Sequence, residues 1–241
     1  MKTAISTVAY REERMIVPFI QHYQNKVDKI LVLNSTKPWN GVNDEKDYTG
    51  NIASSLGADV IQFNWASEEE QRNAGQDYLS DYDFVIVLDP DEYFSNDDFS
   101  TLLSTLTKTT ADALIVEGQF TYWKNGFVAY PYKDYQQLVA VRPHVRFVDK
   151  RVVNSGYEEA PVWLHHFSWA KTDDEVLRKI THYAHANDFN IKDWYENVWL
   201  KWKPGMTDVH PVTPETLHQL IPANLPIEIE RLKLWPMTEQ K

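Results

Sequence analysis

Phe84-Val85-Ile86-Val87-Leu88-Asp89-Pro90-Asp91-Glu92 is the stretch on which the fold is decided. Five consecutive apolar residues read as a strand buried on both faces, as in a parallel sheet covered by helices. The run stops in three carboxylates interrupted by a proline. In open α/β sheets ligands gather beyond the carboxyl ends of the strands, so the acidic tip stands where chemistry is expected. Carboxylate oxygens are hard ligands suited to Mg²⁺ or Mn²⁺ holding substrate phosphates. Two unit anions about 4 Å apart repel by roughly 4 kcal/mol at an effective dielectric near 20, so such a tip needs a cation before it meets a diphosphate. The plain alternative is a strand ending in an acidic turn, since Asp and Pro are ordinary turn formers.

Working outward, the preceding sequence alternates strands and helices. Thr3 to Val8 is a β-prone run. Ile16, Phe19, Ile20 and Tyr23 follow at helical spacing, with Pro18 placed in that helix's first turn. Val27 to Leu33 and Asp59 to Phe63 read as further strands, separated by a polar loop over 36–50. Ser67-Glu68-Glu69-Glu70 has the form of a capping box opening a helix to about Leu79. This β-α-β-α order predicts an α/β fold, a central, mostly parallel mixed sheet flanked by helices. Beyond the tip, a helix is expected over Asn96–Leu106 and strands at Ala113–Val116, Leu138–Val141, Val145–Val148 and Val162–Phe167. A hairpin from Phe120 to Tyr132 is expected to turn on two residues within Lys124-Asn125-Gly126. Thr172-Asp173-Asp174-Glu175 starts a second capped helix through about His185. Another helix carries Trp194, Val198 and Trp202, and a short one begins at Thr213-Pro214-Glu215. No repeat or linker divides the chain, so residues 1–241 are read as one domain, with a nucleotide-binding half over about 1–95 and an acceptor half over about 96–241.

Composition sets outer limits. The chain has 241 residues, 43% hydrophobic and 24% charged, with a formal net charge of 24 − 35 = −11. An acidic chain lacks the basic footprint of a duplex-binding protein, so a nucleic-acid partner is disfavoured. The absence of cysteine excludes disulfides, thiolate zinc sites and cysteine nucleophiles. No apolar run approaches the ~20 residues of a membrane span, and Met1 to Tyr10 is no signal peptide. The expectation is a cytoplasmic protein.

Four motifs in order now carry a family resemblance: Ala9-Tyr10-Arg11-Glu12-Glu13, Val27-Asp28-Lys29-Ile30-Leu31-Val32-Leu33-Asn34-Ser35, Gln71-Arg72-Asn73-Ala74-Gly75 and Leu88-Asp89-Pro90-Asp91-Glu92. Together they resemble the glycosyltransferase family 2-like group with its GT-A fold and DXD-type motif. The resemblance covers residues 3–95 and continues more loosely from His165-His166-Phe167-Ser168-Trp169 to Lys179. It implies transfer of a hexose-like sugar from a nucleotide-diphosphate sugar, a UDP-sugar foremost, to a glycan or other hydroxyl-bearing acceptor. It also implies Mn²⁺ or Mg²⁺ between the DXD-type carboxylates and the diphosphate. Carried over position by position, Tyr10 and Glu12 hold the nucleoside, although Arg11 stands where the family more often has Asn. Asn34 falls near the nucleoside, and Arg72 and Asn73 face the donor. Asp89 and Asp91 bind the metal, Asp91 foremost, and Glu92 orients the acceptor. Transferases of this fold often complete the metal shell with a downstream His. Strand neighbours face opposite sides, so only one of His165 and His166 can do so, and His166 is the preferred one.

An inverting transferase needs a carboxylate to deprotonate the acceptor hydroxyl. Glu158 and Glu159, in a loop before the His-His strand, are candidates by position, with Glu117 a third; each also reads as an ordinary surface carboxylate. His182 and His185 read either as a helical chelating pair or as plain helical residues. Of nine tryptophans, Trp39, Trp123, Trp163 and Trp169 fall where indoles can stack on sugars. Trp194 and Trp202 suit core packing, an acceptor platform or peripheral membrane contact. Haloacid-dehalogenase-like phosphatases also place Asp-x-Asp after a strand. They need Thr or Val two places beyond the second Asp, where this chain has Tyr93. The alternatives retained are a non-catalytic carbohydrate- or nucleotide-binding protein on the same scaffold and, behind it, a sugar nucleotidyltransferase. The latter lacks its glycine-rich loop in Ala9-Tyr10-Arg11-Glu12-Glu13.

Overall fold

The computed structural model describes residues 1–41, 46–130 and 136–236. The elements run β1 (Thr3–Ala9), α1 (Glu13–Tyr23), β2 (Lys29–Ser35), α2 (Thr49–Ser55), β3 (Asp59–Phe63), α3 (Glu68–Tyr78), β4 (Phe84–Val87), β5 (Glu92–Phe94) and α4 (Asn96–Leu106). They continue with β6 (Ala113–Trp123), β7 (Phe127–Tyr130), β8 (Leu138–Val141), β9 (Phe147–Asp149), β10 (Val152–Val153), β11 (Tyr157–His166), α5 (Asp173–His182), α6 (Ile191–Trp194), β12 (Gln219–Pro222) and α7 (Ile227–Glu230).

The central sheet is the expected α/β arrangement. Strands β3-β2-β1-β4 are parallel, β8 joins β4 antiparallel, and the long β6 pairs antiparallel with β8 on its first half and β7 on its last. On its other edge β6 takes β11 parallel, and β11 takes the short β5 antiparallel. Two reversals, β4 to β8 to β6, leave β6 and therefore β11 pointing the same way as β1, β2 and β4. The carboxyl ends of all five strands thus meet at one edge of the sheet, and the functional candidates sort by which end they occupy.

Strand alternation explains the two-sided core. Phe84, Ile86 and Leu88 face the α1 and α4 side, with Phe19, Tyr23 and Phe99, while Val85 and Val87 face the other side with Leu33, Leu79 and Val141. On that second side α3 lies unusually close to β1. A Cβ at Gly75 would stand 2.6 Å from Ser6 Oγ. This glycine lets the helix approach, and its neighbour Arg72 reaches the acidic tip.

Several local expectations change. Pro18 lies inside α1 because that helix already begins at Glu13. The lost backbone bond there is offset by a buried face of Met15, Ile16, Phe19, Ile20 and Tyr23. The hairpin turns on three residues, Lys124–Gly126, with Trp123 paired to Phe127; Asn125 and Gly126 have φ of 58° and 77°. Its outer end at Tyr132 lies outside the described residues. Residues 145 and 146 precede their strand, which starts at Phe147, and β11 begins at Tyr157. The second cap forms in full: Thr172 Oγ1 accepts from the Glu175 amide and Glu175 accepts from the Thr172 amide. Its helix ends at His182, and the later expected helix is broken into α6 and a π-helical turn over Tyr195–Trp199.

Trp194 and Trp202 are buried in a cluster with Trp123, Trp169 and Trp199, which removes them as a membrane-resting face or an exposed platform. Among the described residues no helix is long and apolar enough to cross a membrane.

Candidate functional site

A cleft of about 380 Å³ opens at the carboxyl ends of the sheet, a size typical of small-molecule sites. One wall is the turn after β1, with Tyr10, Arg11 and Glu12, together with Ser35 and Trp39; the floor is Asp89-Pro90-Asp91. The opposite wall is His166, Ser168, Trp169, Lys171 and the α5 face bearing Lys179 and His182. The C-terminal segment closes the far side with His210 and Thr213.

The turn after β1 is pinned from its backbone. The Arg11 amide donates to Asp47 Oδ2 (3.1 Å) and the Glu12 amide to Thr49 Oγ1 (2.8 Å). Arg11 has φ of 56°, a left-handed conformation that Asn accepts more readily than Arg. The position where the resemblance would place Asn is therefore one with a steric reason for it. Glu12 is held above the usual carboxylate range by burial, partly countered by Lys171.

Asp89 and Asp91 are in different electrostatic settings. Asp89 Oδ1 is 2.8 Å from Arg72 Nη2, and Asp89 Oδ2 is 3.7 Å from Arg151 Nη1. Burial alone would raise Asp89, but the two guanidiniums hold it below its ordinary value. Asp91 Oδ1 lies 3.4 Å from His166 Nε2, and Asp91 Oδ2 lies 3.4 Å from Lys171 Nζ and 3.8 Å from Lys179 Nζ. Its burial is outweighed by Lys171, Lys179 and His166, so Asp91 stays ionised well below the usual range. Lys171 is pushed up, since Glu12 and Asp91 outweigh its burial; Lys179 is pulled down by burial, with Lys171 adding to the effect.

The two histidines at the end of β11 part as strand neighbours must. His165 turns into the core, with Nδ1 2.7 Å from the Tyr122 hydroxyl and its ring stacked on Phe120 and Tyr122; burial pulls it down to about 4. His166 turns to the cleft and to Asp91. His165 is therefore no metal candidate.

Other sequence candidates fall away from the cleft for identifiable reasons. Glu92 is fully buried, salt-bridged to Arg151 Nη1 (2.7 Å) and accepting from the Asp89 amide (2.9 Å). It braces the tip from behind and cannot orient an acceptor. Asn34 is buried, with Oδ1 accepting from the Gly50 amide (2.9 Å) and Gln62 (3.0 Å) and Nδ2 donating to Asp47 (2.7 Å). It organises the turn rather than touching a nucleoside. Asn73 exchanges both amide bonds with Phe147, fastening α3 to β9. Arg72 is buried between Glu68 and Asp89 and reaches the cleft only through them. His182 and His185 do line the cleft, but α5 ends at His182, so they are not a pair on one helix, and His185 pairs with Asp188 (2.6 Å). Trp39 and Trp169 line the cleft, whereas Trp123 is buried and Trp163 lies over Gly118.

Glu158 and Glu159 are not in a loop but at the start of β11, at the opposite end of the sheet from His166. Eight residues of strand at ~3.3 Å each place Glu158 about 26 Å from the cleft. They accept from Thr109 and Gln136 instead. Glu117 sits within β6 and also does not line the cleft. Glu158→Gln and Glu159→Gln are expected to leave ligand binding in the cleft within about twofold of wild type, the range of substitutions far from a site. Calorimetry on each variant checks this.

Residues the sequence reading passed over are Lys171, Lys179, Gln119, Arg151 and His210. The first two had a signal, since both lie in the loosely matching segment after His166. His210 Nδ1 accepts from the amides of Val212 (3.2 Å) and Thr213 (3.0 Å), and burial, with Lys179 next, brings it down to about 4. Its ring is thus a neutral donor through Nε2 at neutral pH.

Among the described residues no three His, Asp or Glu side chains form a complete metal cage. Asp91 Oδ1 and His166 Nε2 do converge, at 3.4 Å, near the ~3 Å that separates adjacent ligands about 2.1 Å from one octahedral ion. Gln119 Nε2 is 3.2 Å from His166 Nδ1, while Gln119 Oε1 is buried with no partner. Gln119 Nε2 also donates to Thr121 Oγ1 (2.9 Å), so the anchored amide braces the His166 ring through Nδ1, on the side away from Asp91. Asp91 and His166 therefore fit two positions of a divalent ion whose remaining positions would come from ligand oxygens and water. Asp89, engaged by Arg72, does not join them.

No family model and no curated protein matches the sequence. Among solved structures, the chain is similar to Staphylococcus aureus TarS over 83% of its own length and 43% of TarS, at 13% identity and a TM-score of 0.47. It is similar to GalNAc-T7, solved with UDP, GalNAc and Mn²⁺, over 83% of this chain and 50% of that one, at 10% identity and a TM-score of 0.47. A mycobacterial protein matches 50% of this chain and 41% of its own, at 19% identity and a TM-score of 0.38. The chain thus spans half or less of the length of each. The reading of function rests on the cleft's own residues.

Proposed function

We propose that the protein transfers a sugar from a nucleotide-diphosphate sugar to an acceptor hydroxyl, as a GT-A-type glycosyltransferase. The observation that carries this is Asp91: a carboxylate held ionised in a cleft at the strand ends, with His166 beside it and two ammonium groups around it. A carboxylate so placed, beyond the carboxyl end of a buried parallel strand, is where a ligand of this fold class binds. The sequence resemblance supplies the substrate class.

In this reading Tyr10, Arg11 and Glu12 form the nucleoside wall, with Trp39 beside them. Asp91 and His166 would hold Mn²⁺ or Mg²⁺; the chemistry such an ion supplies when bound is neutralisation of the charge developing on the departing diphosphate. Gln119 orients the His166 ring. Arg72 and Arg151 fix Asp89 and the tip. His210, Trp169 and Thr213 face the acceptor side, where a neutral imidazole N–H and an indole suit a sugar hydroxyl and a sugar face.

A second reading, a nucleotide or carbohydrate binder without chemistry, is favoured by one observation. Each carboxylate lining the described cleft — Glu12, Glu68, Asp89, Asp91 and Glu175 — has a cationic neighbour, and none stands apart as a base. The deciding experiment is thermal shift against nucleoside diphosphates and their sugars with Mn²⁺, followed by an assay for released nucleotide. A shift with release supports the transferase. A shift with no release over long incubation supports the binder. No shift with a folded sample sinks the transferase and the nucleotide binder, and leaves only binding of a free carbohydrate.

A further inference from the structure

The ion pairs at the acidic tip are of two kinds. Arg72 meets Glu68 and Asp89 at 2.8 Å each, and Arg151 meets Glu92 at 2.7 Å. These are closed, charge-assisted hydrogen bonds of ordinary length. Around Asp91 the contacts are open: Lys171 at 3.4 Å, His166 at 3.4 Å, Lys179 at 3.8 Å. Lys171 reaches Glu12 Oε2 also only at 3.4 Å. Two ammonium groups thus share one carboxylate oxygen without closing on it.

Their placement is rigid. Lys179 Nζ donates to the Ser168 carbonyl (3.1 Å) and hydroxyl (2.7 Å) and stands 5.2 Å from the centre of the Trp169 ring. Lys171 and Lys179 flank the first two turns of α5, which is fastened by the Thr172 capping box and by the Arg14–Glu175 pair at 2.7 Å. Both lysines line the cleft, yet both are mostly buried, with side chains 5% and 20% exposed. Two side chains normally free in solution are here largely withdrawn from water and directed at the same Asp91 oxygen. An ammonium is a compact point charge well suited to phosphate oxygens. An oxyanion entering between the two would supply the close contacts that Asp91 and Glu12, at 3.4 Å or more, do not.

We propose that Lys171 and Lys179 form a fixed two-ammonium site that takes the donor's diphosphate directly, so that nucleoside diphosphate binds without a divalent ion and an ion at Asp91 and His166 only reinforces it. The proposal rests on the nucleotide-sugar reading above for its ligand, and on the lysine geometry for its independence of metal. It replaces the argument that the acidic tip must acquire a cation before meeting a diphosphate, because the chain brings its own.

The test is calorimetry on the full chain with UDP, uridine and inorganic pyrophosphate, each in EDTA and in Mn²⁺. UDP and pyrophosphate are expected to bind in EDTA, UDP within about tenfold of its affinity in Mn²⁺. Lys179→Met is expected to weaken UDP and pyrophosphate by at least about tenfold while leaving uridine unchanged, and Lys179→Arg to retain most of the binding. This variant is preferred to Lys171→Met, which would strand Glu12 and Asp91 without their shared cation. UDP binding that requires Mn²⁺, or that Lys179→Met leaves intact, overturns the proposal and leaves the donor reading standing. Pyrophosphate bound in EDTA with no binding of UDP supports the lysine site and removes the donor reading. No binding of either ligand under any condition overturns the proposal; the EDTA arm on the wild type decides this without any variant.

Discussion

Under the transferase reading, Asp91→Asn should lower sugar transfer by about a hundred- to a thousandfold, the order seen when one charge-stabilising contribution is removed, here that of the ion Asp91 would hold. The amide keeps the side chain's shape but removes the charge that balances Lys171 and Lys179 and the oxygen that faces His166. The folded protein should also lose roughly 3 kcal/mol, because truncating one partner leaves buried charges uncompensated. The pH dependence has a definite sign. Asp91 is held well below the ordinary carboxylate value, so its contribution is complete above the unfolded value of about 3.9 and is lost as pH falls through the lower, folded value. Urea melts of the wild type should therefore weaken steadily below about pH 4, and this part of the decline should be absent in Asp91→Asn. A steady-state assay of nucleotide release, run beside the melts, separates loss of chemistry from loss of fold.

Arg151→Met should be the most damaging single change to stability that leaves the cleft's lining residues untouched. Arg151 lies in the turn between β9 and β10 and reaches under the sheet to Glu92, to the Val87 carbonyl and toward Asp89. Glu92 is fully buried, so removing its guanidinium strands an anion in the core. The expected cost is about 3–5 kcal/mol, which at this chain length is a fall in Tm of roughly 6–20 °C. The double variant Arg151→Met with Glu92→Leu should recover part of it, because an apolar pair no longer carries a buried charge. Calorimetric melting of the two variants checks both statements. A single variant that melts with the wild type would mean that water reaches Glu92.

The boundaries of β3 and α4, the Ser67 N-cap and the full Thr172 box were legible because each depends on residues within four positions of one another. The expected box at Ser67 closes only by half, since Glu70 takes the Ala66 amide instead. Also legible was the separation of His165 from His166, which strand alternation requires. The role of Glu92 was partly legible by the same rule, since a strand begins there and turns it away from Asp91; reading the three carboxylates as one motif hid the change of side. What stayed hidden was long-range. Nothing local shows that Arg151 would answer Glu92 across 59 positions, or that Lys171 would reach Glu12 across 159. Glu158 and Glu159 were misplaced because a ten-residue strand was read as a loop followed by a shorter strand, which moved them from the far end of the sheet to the near one.

The indole cluster gives the molecule an optical property of its own. Trp123 is 4.9 Å from Trp199 and 5.7 Å from Trp169, ring centre to ring centre, and Trp194 is 5.4 Å from Trp169. At such separations excitation passes between rings faster than it is emitted, so light absorbed anywhere in the group is shared among its members. One member, Trp169, forms part of the cleft wall beneath the Lys179 ammonium. An anion settling on Lys179 would change the field at that ring, so the shared emission of the group is expected to shift with it. Titrating UDP against the emission of the unlabelled protein would then read the occupancy of the cleft directly.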